Sequence, residues 1–525
     1  MSGILDFDSK ILRHILKKYG IKGAWISLLA THLNEKDSFK YILTQPEFLN
    51  AKIFPRDLLQ GLSVGEIGVL YEYSVTFNNS RSRKSNGQFF TPDDVAQFMA
   101  SFSKKFSNGI WLDPCSGIGN LSWHLVAIQD QPEEFLINNL ILSDKDELAL
   151  FIARTLMTIS YQKNHENLFN DIKRNFICFD FLSVADKGEL VLFDPGDNLS
   201  VIPKHDFVIV NPPYLALKAD ERFETAKASD LYAYFMENII KTSKGFISIT
   251  PQSFTNAKKF ESLRKLILDK FNNLTIFNFD NVPANIFKGI KFGSKNTNTA
   301  NSIRVAITIA VPGEGKQRIT SLLRWRSSER EFLFANIKNF LSGVILTKDF
   351  FPKVSKEYEN LYNNLDKSRT LSHLICSEQT RFPLYIPSSP RYFIVALKKR
   401  VKRGSLKQVY FRNEKDRDYA YLLINSSFTY WWWRVRDGGM TLSLETIRCI
   451  PLIDFKLNKK LIRDLETSES TNKVFKKNAG VKQYNVKHSP ELQLRLNDKL
   501  IPDYSKILTQ LHENSEFSRL IENSR

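Results

Sequence analysis

The chain has 525 residues, 42% of them hydrophobic, enough for two or three domains with substantial cores. No run approaches the ~18 consecutive apolar residues of a membrane span, the opening MSGILDFDSKILRH lacks a secretion signal's apolar core, and Cys115, Cys178, Cys376 and Cys449 are too scattered for a disulfide framework or a CxxC metal site. A cytoplasmic, metal-free protein without membrane association is therefore expected, with its +18 charge concentrated late: residues 316–525 hold 39 Lys+Arg against 22 Asp+Glu, and residues 1–315 hold 35 against 34.

Residues 1–85 read as a helical N-terminal region, from patterns such as KILRHILKKYG and GEIGVLYEYS, with no chemical motif of their own. The polar, Ser-rich, basic stretch NNSRSRKSNG (78–87) is expected to be a linker or loop. In the following region, 86–315, short apolar runs alternate with helical stretches: GIWLD, LILSD, FICFD, FVIVN, GFISIT, LTIFNF and IRVAITIA. That alternation predicts an α/β domain with a doubly wound, mostly parallel sheet, whose ligands bind beyond the carboxyl ends of the strands. Asp113, Asp144, Asp180 and Asn211 are expected to end successive strands at that rim.

WLDPCSGIGN (111–120) reads as a strand, a tight turn and a helix start, in which Gly117 and Gly119 let backbone approach a ligand closely. It is neither GxGxxG nor a P-loop, and Asp113, followed by Pro114, places a carboxylate where a pyrophosphate would be repelled and a cation attracted. S-adenosyl-L-methionine, which carries a sulfonium and an ammonium and no phosphate, fits these residues. Asp144 is then suited to accept from the ribose hydroxyls and Asp180 from the adenine amine, with Phe181 or Ile177 against the ring.

The strand Phe207–Val210 stops at Asn211-Pro212-Pro213-Tyr214, where two prolines remove two backbone donors. An exocyclic amine on an aromatic ring is a poor nucleophile because its lone pair is delocalised. Two fixed acceptors, the Asn211 side-chain oxygen and the Pro212 carbonyl, can draw its two N–H groups out of the ring plane and restore the lone pair. Tyr214 supplies a stacking face for a planar substrate. No metal is needed.

Residues 316–525 form a mixed, irregular, basic region that suits a polyanion, with nucleic acid first among candidates. LKKRVKRG (397–404) is its densest basic run and makes Lys398, Lys399 and Arg400 candidate phosphate contacts, while TSESTNKVFKKNAG (467–480) is expected to be a second linker.

Taken together, these motifs resemble the N6-adenine-specific DNA methyltransferases of bacterial restriction-modification systems, in the group whose cofactor motif precedes NPPY and whose target-recognition domain comes last. The similarity runs over residues 62–312, with a looser echo at 420–452. It implies a seven-stranded sheet with one antiparallel strand, S-adenosyl-L-methionine as cofactor, and methyl transfer to the N6 amino group of an adenine flipped out of double-stranded DNA. It also implies protection of that DNA from a cognate restriction endonuclease acting on the same site without an obligatory complex; a monomer is the favoured state. GQFFTP (87–92) resembles the motif that touches the cofactor methionine through its Thr-Pro, here Thr91 and Pro92. NIFKGIKF resembles the segment in which an aromatic, Phe287 or alternatively Phe292, packs against the flipped adenine. NSSFTYWWWRVRDGGMTLSLETIRCIPL (425–452) resembles a recognition-domain segment in which the aromatic helix packs inward and the following Gly-containing loop faces DNA; Arg434 and Arg436 are candidates to reach bases or phosphates. Protein-glutamine methylation, and a DNA-binding modification-restriction protein in which methylation is secondary, are the alternatives.

Overall fold

A computed structural model describes residues 2–77, 91–183, 202–287, 291–292, 295–296, 303–390, 393–403, 405–437, 441–478, 481–511 and 515–518. The expected linker 78–87, and Gly87–Phe90 of GQFFTP, lie outside the described residues, as does the side chain of Phe292.

The centre of the molecule is a sheet of β1 (Trp111–Asp113), β2 (Leu140–Asp144), β3 (Phe176–Cys178), β4 (Phe207–Val210), β5 (Gly245–Pro251) and β6 (Asn273–Phe279), joined later in the chain by β9 (Val305–Val311) and β10 (Gln317–Leu323). Between them, β7 (Lys291–Phe292) and β8 (Lys295–Asn296) form a separate two-residue ribbon. The order across the main sheet is β10-β6-β9-β5-β4-β1-β2-β3, with β9 antiparallel to both neighbours and every other pair parallel.

The sheet thus contains the seven strands implied by the resemblance and one more. The correction comes from QRITSLL, which lies beyond residue 315 yet pairs in parallel with β6. Its pairing takes up backbone donors and acceptors that the β6 edge would otherwise expose, and its Ile319, Leu322 and Leu323 are buried.

The central strands are mostly apolar because helices cover both faces, and all four residues of β4 are buried. One face packs against the helices Leu231–Thr242 and Glu261–Lys270 and continues into the core of the C-terminal region, through Tyr421–Ile424 and Trp431–Trp433. The other packs against the helices Asp93–Ala100, Asn120–Ala127 and Glu147–Tyr161.

The N-terminal region is helical as expected. A helix at Ser2–Asn34, broken at Gly20 where φ is +67°, and a second at Val64–Phe77 share a core with Ile118, Ile152 and Leu156 of the sheet domain. No helix among the described residues is long and apolar enough to cross a membrane.

In the C-terminal region β11 (Ile375–Cys376), β13 (Leu406–Phe411) and β12 (Pro383–Pro387) form a small antiparallel sheet in that order. The stretch 467–480 is not a linker. Thr467–Thr471 completes the helix Lys459–Thr471, and β14 (Lys473–Asn478) pairs antiparallel with β15 (Val481–Val486); Ala479 and Gly480 lie outside the described residues. Its Ser and Thr side chains resemble loop composition, but Thr467 and Thr471 satisfy their hydroxyls within the helix, on the carbonyls of Arg463 and Thr467.

Candidate active site

The chain runs outward through β1, β2 and β3, then returns to place β4 on the other side of β1. Strand order therefore reverses between β1 and β4, the point at which doubly wound sheets bind ligands. A cleft opens there at the carboxyl ends of the strands. Of the residues singled out from the sequence, Thr91, Asp113, Pro114, Gly117, Asp144, Asp180, Phe181, Asn211 and Pro213 all line it.

Asp113 ends β1 and is 1% exposed. Its Oδ2 accepts from the Ser122 hydroxyl at 2.9 Å, whereas Oδ1 finds no hydrogen-bond partner among the described residues. Burial, partly offset by the Ser122 bond and reinforced by the nearby Asp144 charge, pushes its pKa up to about 7. An orphaned buried carboxylate oxygen is costly unless a donor or cation reaches it.

Asp144 ends β2, where Oδ2 accepts from Gly117 N at 2.8 Å and Oδ1 from Asp146 N at 3.0 Å; burial again pushes its pKa up. Asp180 sits two residues past the end of β3 rather than on it, because β3 stops at Cys178, and it is exposed at the mouth. Phe181 is buried and stacks on Phe235 at 5.3 Å, giving the cleft one apolar wall; Ile177 belongs to the core behind.

The two glycines have different tasks. Gly117, at φ +53°, faces the cleft and spends its N–H on Asp144. Gly119, at φ +81°, does not line it: a Cβ there would come within 2.9 Å of Met157 Cε, so this glycine serves close packing of helix on sheet. Pro92 is likewise outside the cleft, as N-cap of the Asp93–Ala100 helix.

Sequence reasoning missed the third wall. The helix Val64–Phe77 contributes Tyr71, Glu72 and Val75, and the Tyr71 hydroxyl donates to Asp146 Oδ2 at 2.5 Å. Nothing in an amphipathic period separates a helix that lines a cleft from one that only packs. With these residues included, Glu72, Asp113, Asp144, Asp146 and Asp180 face Lys145 as the one cationic side chain among the described lining residues, which favours a cationic ligand and disfavours a pyrophosphate.

At the inner end lies the tetrad. Asn211 Nδ2 donates to Thr91 Oγ1 at 3.0 Å, and the Tyr214 hydroxyl lies 2.7 Å from Asn211 Oδ1 and 2.9 Å from the Ile249 carbonyl. The Cys115 thiol donates to the Asn211 backbone carbonyl at 3.3 Å, tying the Gly turn to the tetrad. Tyr214 and Phe287 are brought together, ring centroids 6.3 Å apart, and Tyr232 lies 6.2 Å away on Tyr214. Among the described residues no cluster of three or more His, Cys, Asp or Glu side chains is placed to hold a metal ion.

The expected DNA contacts divide. Lys399 and Arg400 are exposed, and Arg436 is partly buried with its guanidinium over Phe350. Lys398 is already paired with Asp418 at 2.7 Å and Glu466 at 2.6 Å. Arg434 is buried: it forms an ion pair at 2.9 Å with Asp280, which also holds Arg304 at 2.9 Å, and it donates to the Leu322 carbonyl. A guanidinium spent on a buried carboxylate pins the aromatic helix to the sheet rim and is not offered to DNA.

Residues 138–287 match the family of Eco57I restriction-modification methylases. That segment contains Asp144, Asp180, the Asn-Pro-Pro-Tyr tetrad and Phe287. The chain is also 27% identical over 208 residues to the type II methyltransferase M.PstI of Providencia stuartii, covering 37% of this chain and 39% of that protein. With M.BsuBI of Bacillus subtilis it shares 27% identity over 211 residues, covering 37% and 40%. The alignments thus span about two-fifths of the length of these relatives. Among solved structures, a DrdV–DNA complex superposes with a TM-score of 0.46 at 14% identity over 74% of this chain and 45% of that one. The type IIG restriction endonuclease BpuSI gives 0.41 at 12% identity over 98% and 78%.

Proposed function

We propose that this protein is a restriction-modification DNA methyltransferase that transfers a methyl group from S-adenosyl-L-methionine to the N6 amino group of a flipped-out adenine. The observation that carries this reading is the Asn211 amide at the strand-order reversal, beside a cleft whose described lining holds five carboxylates and one lysine. The donor set fits the cofactor: Asp113 and its neighbours suit the ammonium and sulfonium, and the Phe181–Phe235 wall suits the adenine.

Bound there, the cofactor supplies a methyl group on an electron-poor sulfur that leaves as a neutral thioether. The chain's own residues do the rest. Asn211 Oδ1 and the Pro212 carbonyl accept the two N–H groups of the target amine, and its freed lone pair forms the new N–C bond. The extra proton leaves to water once the nitrogen is alkylated. Tyr214 and Phe287 offer aromatic surface to the extruded base. Incubation of duplex DNA with methyl-labelled cofactor, followed by nucleoside mass spectrometry, is expected to yield N6-methyladenine; N4-methylcytosine as sole product would reject the assignment.

Double-stranded DNA is the proposed partner, held by the basic region 316–525, with a restriction endonuclease of the same specificity as a separate protein. Of the run at 398–400, only Lys399 and Arg400 are left for phosphate. The double variant Lys399→Glu/Arg400→Glu is expected to weaken DNA binding about 10-fold or more and to reduce the slope of log K against log salt by about 2. Unchanged affinity and slope would move the DNA path elsewhere.

A further inference from the structure

We propose that Thr91 is a positioning residue that sets the orientation of the Asn211 amide, in addition to its place in the wall of the cofactor cleft. The proposal rests on the methyltransferase reading and deepens it.

A primary amide carries its oxygen on one side and its N–H₂ on the other. If Asn211 Oδ1 is to receive an N–H from the target amine, Nδ2 must face the opposite way. An acceptor held beside that nitrogen favours this rotation over the reverse one. What lies 3.0 Å from Nδ2 is Thr91 Oγ1, a hydroxyl with lone pairs to accept.

Thr91 is itself held in place. It is 5% exposed, and its carbonyl accepts from Asn120 Nδ2 at 2.6 Å, with Asn120 4% exposed at the head of the helix that follows the Gly turn. The amide, the hydroxyl and the second amide thus form one chain from the cofactor turn to the reacting site, drawn from segments around residues 91, 120 and 211. On the far side of Asn211, Tyr214 has one hydroxyl proton within reach of two oxygens, Asn211 Oδ1 and the Ile249 carbonyl. It can donate to only one of them at a time, whereas the Thr91 hydroxyl stands on the amide nitrogen itself.

Thr91→Val keeps the shape and removes the hydroxyl, while Thr91→Ser keeps the hydroxyl. In the full-length protein with duplex DNA and S-adenosyl-L-methionine, Thr91→Val is expected to lower the single-turnover methyl-transfer rate ~10- to 100-fold, the kinetic equivalent of losing one hydrogen bond that orients the reacting amide. Any loss of cofactor affinity should be smaller than the loss of rate, and Thr91→Ser should recover most of the rate. A wild-type rate in Thr91→Val, or a loss appearing wholly as weaker cofactor binding, overturns the proposal.

A second readout does not depend on activity. In protein labelled with 15N-asparagine, the Asn211 side-chain amide signals are identified by their loss in Asn211→Ala. Their exchange with solvent should be slow in wild type and at least about tenfold faster in Thr91→Val. Equal exchange in both overturns the positioning role. If wild type fails to methylate DNA, the proposed function fails, and the amide exchange alone then decides on Thr91.

Discussion

Asn211→Ala is expected to lower the methyl-transfer rate by about 10²–10³-fold, the usual loss when one preorganised polar group is removed from a reacting centre. The cofactor cleft should be nearly untouched, because its charge resides in Asp113, Asp144, Asp146, Asp180 and Glu72. The fold should also survive, since the Tyr214 hydroxyl retains the Ile249 carbonyl and Thr91 retains Asn120. Single-turnover kinetics, isothermal titration with S-adenosyl-L-methionine and thermal unfolding, run on the same preparation, separate these effects. A rate within a few-fold of wild type would remove Asn211 from the chemistry, and loss of cofactor binding in parallel would make it a binding residue.

Asp113→Asn is expected to act in opposite directions on stability and on cofactor binding. In the ligand-free protein, burial raises the Asp113 pKa from its ordinary 3.8 to about 7, so the folded state holds the proton more tightly than the unfolded state does. Stability therefore falls as pH rises from about 4 to about 7, and the full penalty is present above that. Removing the ionisable group should stabilise the ligand-free protein at pH 8 by on the order of 2–4 kcal/mol, with the gain vanishing below about pH 4.

Binding runs the other way. A cationic ligand needs the ionised carboxylate, so wild-type affinity for S-adenosyl-L-methionine should weaken as pH falls below about 7, by up to ~10-fold per pH unit. Asp113→Asn should weaken it ~10- to 100-fold and flatten that dependence, as expected for loss of a charge-assisted contact. Thermal unfolding and titration calorimetry from pH 5 to 8 test both arms. A variant less stable than wild type at pH 8, with an unchanged pH dependence of binding, would show that Asp113 is a structural acid.

Much of the site was legible in the residues themselves. Strand and helix periods are local, and so is the break that two prolines impose after FVIV. WLDPCSGIGN and NPPY consequently fell at the ends of β1 and β4, and Asp144 at the end of β2. The parallel, doubly wound arrangement followed from the same alternation, and with it the rim of the sheet at which the cleft opens.

Tertiary structure decided what depends on partners far away in the chain. QRITSLL carries no sign that it will complete a sheet begun some 200 residues earlier; its edge position comes from pairing with β6. Arg434 was a candidate DNA contact within the segment that resembles a recognition domain, but Asp280 lies 154 residues before it and claims the charge. Tyr71 and Glu72 entered the cleft because the N-terminal helices dock on Ile118 and Ile152. Periodicity and motif spacing record what each segment does with its near neighbours, and so the sequence alone determined the chemistry at the strand ends. Which charges are spent inside the fold, and which helix closes the cleft, is set by burial and by pairing across the chain, and only the folded molecule contains that.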